Sequence, residues 1–134
     1  MSEQSNLEFV QRVYEVADRG ELQAFLDALT EDVQWAFPGP SGKAPFFGEF
    51  HGRNEMLQAL RPFLELVETR QLRPRQFIAS GETVIVLEHE EVKVRRTGRT
   101  CELDCVHILT LRDGRVAAIK QIGDTGTLLQ TLEG

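Results

Sequence analysis

Thr83–Arg112, reading TVIVLEHEEVKVRRTGRTCELDCVHILTLR, decides the fold. Both halves alternate apolar with polar residues and are rich in β-branched types, and Thr97-Gly98 lies between them, so the stretch predicts two long strands joined by a hairpin. If Thr97-Gly98 is a two-residue loop, Arg96 opposes Arg99 and the remaining pairs follow by counting. One face then sets Val94 against Cys101, Val92 against Leu103, Glu90 against Cys105, Glu88 against His107, Val86 against Leu109 and Val84 against Leu111. That face is apolar at both ends, with two carboxylates and an imidazole in its middle. The other face pairs Lys93 with Glu102 and Arg95 with Thr100, as a solvated face would, and sets Glu91 against Asp104, which is mildly unfavourable unless Lys93 bridges them.

The same alternation extends to both sides. Leu72–Ser80 and Arg115–Gly123 read as further strands, set off by the turns Ser80-Gly81-Glu82 and Asp113-Gly114. A two-residue loop at Asp113-Gly114 would place Lys120 opposite His107, whereas a three-residue loop with a glycine bulge would place Gln121 there. An amide beside an imidazole is the better neighbour, so Gln121 is expected. Asp124–Leu132 forms a tail with one short helix.

Upstream, the period changes from two to 3.6. Ser5-Asn6-Leu7-Glu8 fits a capping box, Leu7, Val10, Val13, Tyr14 and Ala17 recur at helical spacing, and Gly20 ends the helix. A second helix presents Leu22, Phe25, Leu26 and Leu29 and stops near Thr30. Val33–Phe37 is a short strand, broken by Pro38-Gly39-Pro40. A loop follows with Phe46, Phe47 and Phe50, and five of the ten aromatics fall within 33–53. Rings on a loop punctuated by Pro and Gly need cover, which suits a rim over an apolar cavity. A third helix from Gly52-Arg53-Asn54 turns Met56, Leu57, Leu60, Phe63 and Leu64 inward, with a kink or break expected at Pro62. Three helices and a mainly antiparallel sheet make an α+β domain spanning 1–134.

The net charge of −6 and the lack of a basic cluster argue against nucleic acid and anionic membranes as partners. No apolar run approaches the ~20 residues of a membrane span, and the first residues do not form a signal peptide, so a cytoplasmic protein is expected. Cys101 and Cys105 on one strand would lie about 13 Å apart, too far for a disulfide, at ~3.3 Å per residue. Their spacing with His107 does not suit zinc, and neither metal nor cofactor is expected.

Candidate chemistry centres on His107, Glu88 and Gln121. The Glu–His pair is either a polar network that shapes the core or an acid/base dyad, with His107 moving a proton and Glu88 orienting it. Tyr14, Trp35, Phe37, Phe50, Phe63, Glu90 and Cys105 are candidate ligand-facing residues. His51, on the loop, and His89, on the charged face, are assigned no role.

Two helices, then Val-Gln-Trp-Ala-Phe-Pro-Gly, Pro-Phe-Phe-Gly-Glu-Phe-His-Gly-Arg, Leu-Arg-Asp-Gly-Arg-Val and a closing Gly-Asp-Thr resemble a SnoaL-like protein of the nuclear-transport-factor-2-like, ketosteroid-isomerase-like superfamily. The resemblance implies a cystatin-like cone: a curved antiparallel sheet wrapped around three N-terminal helices, with an internal cavity for a small apolar molecule. It also implies a homodimer joined through the outer sheet face, and either a cofactor-free isomerase, cyclase or hydratase or a non-catalytic binding or assembly module. Phe37 matches the catalytic aspartate of ketosteroid isomerases, Val13 lies nearest their helix-one tyrosine, and His107 matches their oxyanion-side carboxyl. His107 and Gln121 match the histidine and aspartate of SnoaL-type cyclases. Glu88 and Glu90 match the Arg-x-Asp unit of limonene-type epoxide hydrolases, where this segment supplies no guanidinium.

Overall fold

A computed structural model describes residues 2–133. Helix α1 (Glu3–Asp18) starts earlier than the capping box suggests: the Ser2 hydroxyl oxygen accepts from the Ser5 N–H at 3.0 Å. Asn6, Val10, Val13 and Tyr14 form its buried face, and it ends before Gly20, whose φ of 72° lies in the left-handed region. Helix α2 is only Leu22–Asp27. Leu29, expected on that helix, instead begins strand β1 (Leu29–Phe37), where it is fully buried. The rim stretch also contributes a short strand, β2 (Gly48–His51), where a loop was expected.

Helix α3 (Gly52–Leu66) runs through Pro62, and the expected break does not occur. Proline removes one backbone bond, but Met56, Ala59 and Phe63 on the buried face anchor the helix on both sides of it. Strand β3 (Val67–Ser80) follows without a loop, five residues earlier than Leu72. The Arg95 guanidinium donates to the Val67 carbonyl at 3.0 Å, and the Arg95 N–H to the Leu66 carbonyl at 2.9 Å. The hairpin tip thereby clamps the α3–β3 junction.

Strands β4 (Thr83–Val94), β5 (Thr100–Arg112) and β6 (Arg115–Gly123) complete a strongly curled six-stranded sheet of order β2-β1-β6-β5-β4-β3. All neighbours are antiparallel except β1 and β6, which run parallel. Helix α1 packs on β3, and α3 packs on β1. Helix α4 (Thr125–Glu133) is capped by Asp124, which accepts from the Thr127 N–H at 3.0 Å. Among the described residues no helix is long and apolar enough to cross a membrane.

The β4–β5 hairpin is looser than expected. Its loop leaves Lys93 opposite Thr100, Val92 opposite Cys101, Glu88 opposite Cys105 and Val86 opposite His107. Each pairing is displaced by two residues from the count based on Thr97-Gly98. Because side chains alternate with period two, an even slip keeps every inward residue inward. Val84, Val86, Glu88, Glu90, Val92, Leu103, Cys105, His107 and Leu109 are all buried. On the outer face His89, rather than Glu91, opposes Asp104, and Glu91 opposes Glu102.

The β5–β6 turn is the two-residue type, with Asp113 at φ 52° and Gly114 at φ 76°. Gln121 nevertheless lies opposite His107. The extra residue sits within β6: Leu111 opposes Val116 and Thr110 opposes Ala118, so Ala117 is a bulge.

Candidate functional site

The concave side of the sheet, α1, α2 and α3 enclose a cavity of about 370 Å³, within the range of small-molecule sites. Its walls are apolar, from Val13, Phe25, Met56, Leu60 and Leu109 among others. Trp35 on β1 and Ile119 on β6, cross-strand neighbours, both face it. The polar surface comes from Tyr14, Arg70, His107 and Gln121, with Glu21 at the outer part. Four of the expected residues therefore line it: Tyr14, Trp35, His107 and Gln121.

The other expected residues lie behind or beside this wall. Phe37 and Phe63 are buried in an aromatic cluster with Phe46 and Phe47, with ring centroids 5.0 to 6.0 Å apart. Phe50 stacks on Trp35 at 5.4 Å. Glu88, Glu90 and Cys105 form a second layer under the cavity floor, each almost fully buried. Cys101 and Cys105 are free thiols.

His107 joins the two layers. Its Nδ1 is hydrogen-bonded to the Tyr14 hydroxyl, and the two rings lie nearly parallel, 5.7 Å between centroids. Its Nε2 points away from the cavity, 3.2 Å from Glu88 Oε1 and 3.9 Å from Glu90 Oε1. The Glu88 approach is close but out of line, and neither Glu88 oxygen nor Nε2 has a hydrogen-bond partner among the described residues.

Burial shapes the protonation of this layer, and Glu90 and Arg70 modify it. Burial lowers the His107 pKa to about 4, against a partial upward pull from Glu90. Burial and then the negative charge of Glu90 raise Glu88 to about 9. Glu90 is buried too, yet the Arg70 guanidinium holds it below the usual carboxylate range. Burial, followed by Glu88 and Glu90, pushes the Tyr14 hydroxyl well up. Burial does the same to the Cys105 thiol. At neutral pH the floor contains neutral Tyr14, neutral His107, protonated Glu88 and an ionised Arg70–Glu90 pair.

Arg70 escaped the sequence reading, which started its strand at Leu72. It lies two residues before the buried Leu72, so extending the inward alternation back one step would have found it. The guanidinium missing from β4 thus arrives from β3, diagonal to Glu90. It donates through Nη2 to Glu90 Oε1 at 2.8 Å and through Nε to Oε2 at 3.4 Å, and it lies 5.6 Å from the Phe63 ring centre.

Glu88, Glu90 and Cys105 bring three donor atoms within 4.8 Å of one another, as do His89, Glu91 and Glu102 on the outer face. A cation in the inner group would compete with Arg70 for Glu90 and with the protons held by Glu88 and Cys105. In the outer group, His89 is held by Asp104 at 2.9 Å and Glu102 at 3.3 Å, bonds that raise its pKa. His51 is exposed.

The SnoaL-like domain model matches residues 10–119. The chain belongs to the SnoaL-like family. Known structures agree with this along its full length. An NTF2-like protein of unknown function from Burkholderia pseudomallei is 29% identical over 100% of both chains, with a TM-score of 0.90. TerC, crystallised with polyporic acid, is 28% identical over 97% of this chain and 99% of its own, at 0.88. An NTF2-like protein from Burkholderia xenovorans is 30% identical over 98% of each, at 0.82. A comparison with curated proteins found no match.

Proposed function

We propose that this SnoaL-like domain binds a small, mainly apolar organic molecule in its cavity and moves protons on it without a cofactor, as an isomerase, cyclase or hydratase does. The observation that carries this is the Tyr14–His107 hydrogen bond at the cavity wall, backed by Glu88. Because His107 presents neither nitrogen to the cavity, the Tyr14 hydroxyl meets the ligand and His107 acts through it. Once Glu88, 3.2 Å from Nε2, rotates into line, its protonated carboxyl can donate to Nε2, Nδ1–H to the Tyr14 oxygen, and Tyr14 O–H to a ligand oxygen. Run in that order, the relay delivers one proton and leaves a single carboxylate at Glu88. Run in reverse, it takes a proton up, and only neutral tyrosine and imidazole lie between the ends. Gln121, opposite His107, supplies an amide N–H to a developing oxyanion. TerC accepts an organic molecule on the same fold, which supports small-molecule binding here.

Deuterium exchange at the carbon beside the carbonyl of α-tetralone, followed by mass spectrometry in D2O, tests the relay without knowledge of the natural substrate. Catalysed exchange that disappears in Tyr14→Phe and His107→Ala is expected. Exchange that survives both substitutions sinks the assignment. A non-catalytic binding module is the second reading, favoured by the inward turn of both imidazole nitrogens. It would show ligand-induced thermal stabilisation with no exchange.

The same proposal includes a homodimer through the outer sheet face. Ile78, Ile85 and Ile108 lie in one cross-strand row and Leu87, Val106 and Ile122 in the next, with Ile78 and Ile122 exposed. A monomer at micromolar concentration in sizing experiments would remove this part.

A further inference from the structure

The geometry points to a carboxylate on the ligand, held by the free edge of the Arg70 guanidinium. This rests on the reading of the cavity as a ligand site and adds the charge class of what enters it. A guanidinium has two edges that can each grip a carboxylate with paired N–H groups. Glu90 occupies the side edge, through Nε and Nη2. The only hydrogen bonds of the Arg70 side chain among the described residues run through Nε and Nη2 to Glu90, which leaves the end edge of Nη1–H and the second Nη2–H without a protein partner, and Arg70 lines the cavity.

Three features make this edge a recognition element. The guanidinium plane is fixed on one side by Glu90 and supported by the face of Phe63, so its remaining donors are aimed before a ligand arrives. Among the described residues Arg70 is the one cationic side chain on the cavity wall, and the acidic Glu21 belongs to its outer part, half exposed. The surrounding wall is apolar, so a charge-assisted contact there is not weakened by water as a surface pair would be. Arg70 is only partly buried while Glu90 is fully so, and the pair gains its specificity from the donors it leaves over.

The second layer is compatible with a further negative charge. Arg70 would lie between two carboxylates, Glu90 and the ligand's, while Glu88 keeps its proton. An acid bound this way lies on the wall that also carries Tyr14, His107 and Gln121. At the outer end, Leu22 and Leu64 are exposed and line the cavity, which suits an apolar remainder. The ligand class is therefore an amphipathic organic acid, with its carboxylate on Arg70 and its hydrocarbon towards Leu22 and Leu64.

Trp35 is the only tryptophan and faces the cavity, so its fluorescence reports binding. Titration with 2-naphthoate and with 2-naphthamide compares two probes of nearly equal shape that differ in charge. The wild-type protein is expected to bind the acid about tenfold or more tightly than the amide, the size of one charge-assisted contact. Arg70→Gln should abolish that preference by weakening naphthoate far more than naphthamide, and Arg70→Lys should keep part of it. Circular dichroism checks each fold, and if Arg70→Gln fails to fold, the wild-type ratio and Arg70→Lys decide. Equal binding of both probes by the wild type, or a preference untouched by Arg70→Gln, overturns the carboxylate inference and leaves the cavity reading standing. Quenching by neither probe overturns both.

Discussion

Phe37, Phe46, Phe47 and Phe63 fill one part of the interior with rings 5.0 to 6.0 Å apart, whereas Tyr14, His107, Glu88, Glu90 and Arg70 fill another with ionisable groups. The first derives from a stretch that looked like a ligand rim, and much of it turned out to be packing. The second derives from strands whose outer faces are ordinary, yet it holds two buried carboxyl groups under an open cavity. Apolar rings gain stability wherever they are excluded from water, so they are uninformative about function. Buried carboxyl groups cost stability unless something compensates, so their presence asks for a reason.

If the division is real, substitutions in the two clusters should separate stability from chemistry. Phe46→Ala should cost about 3–5 kcal/mol, as a fully buried ring replaced by a cavity does. Urea denaturation measures it, and proton exchange on α-tetralone per folded molecule should stay unchanged. Tyr14→Phe should do the reverse, lowering exchange by about 10²–10⁴-fold with a small change in denaturation midpoint. A Tyr14→Phe protein that exchanges as fast as wild type would merge the two clusters into one packed core. Gly39→Ala adds a Cβ 2.5 Å from the Phe47 ring, and overpacking of this kind costs about 1–3 kcal/mol. Its signature would be a lower melting temperature with unchanged Trp35 quenching by naphthoate.

The last effect is a slope. The folded-state pKa of Glu88 is raised from 4.5 to about 9, so the folded chain holds a proton that the unfolded chain has released. The stability this proton contributes is full below about pH 4.5 and is lost as pH rises towards 9, by at most about 1.4 kcal/mol per pH unit. His107, lowered to about 4, acts oppositely and at lower pH, losing stability as pH falls from 6.5. Glu88→Gln should flatten the decline between pH 7 and 9, measured by urea denaturation at each pH. A wild-type protein that grows more stable over that range would show Glu88 to be ionised.

The inward residues of β4 and β5 could be read from sequence because alternation survives an error in the hairpin. The loop at Arg95–Arg99 is wider than Thr97-Gly98 suggested, and the partners of Glu88 and His107 shifted accordingly. The shift was even, so both stayed on the floor. Helix starts and the Leu29 boundary were less legible, since an apolar residue at a helix end fits equally well as the first residue of a strand. The joint between α3 and β3 was hidden for a different reason. It is held by Arg95, almost thirty residues away, and local propensity near Pro62 argued for a break. With that joint misplaced, Arg70 had no reason to point inward.

The bulge at Ala117 behaves like a frameshift written into a strand. Up to Val116 one set of alternate residues faces the interior; beyond it the other set does, so Ile119 and Gln121 are presented and Lys120 is turned out to solvent. Were Ala117 paired regularly instead of bulged, the first frame would continue and present Ala118, Lys120 and Ile122, whereas deleting Ala117 would leave Ile119 and Gln121 facing inward. The cavity's polarity therefore depends on a single bulged residue that does not itself line it.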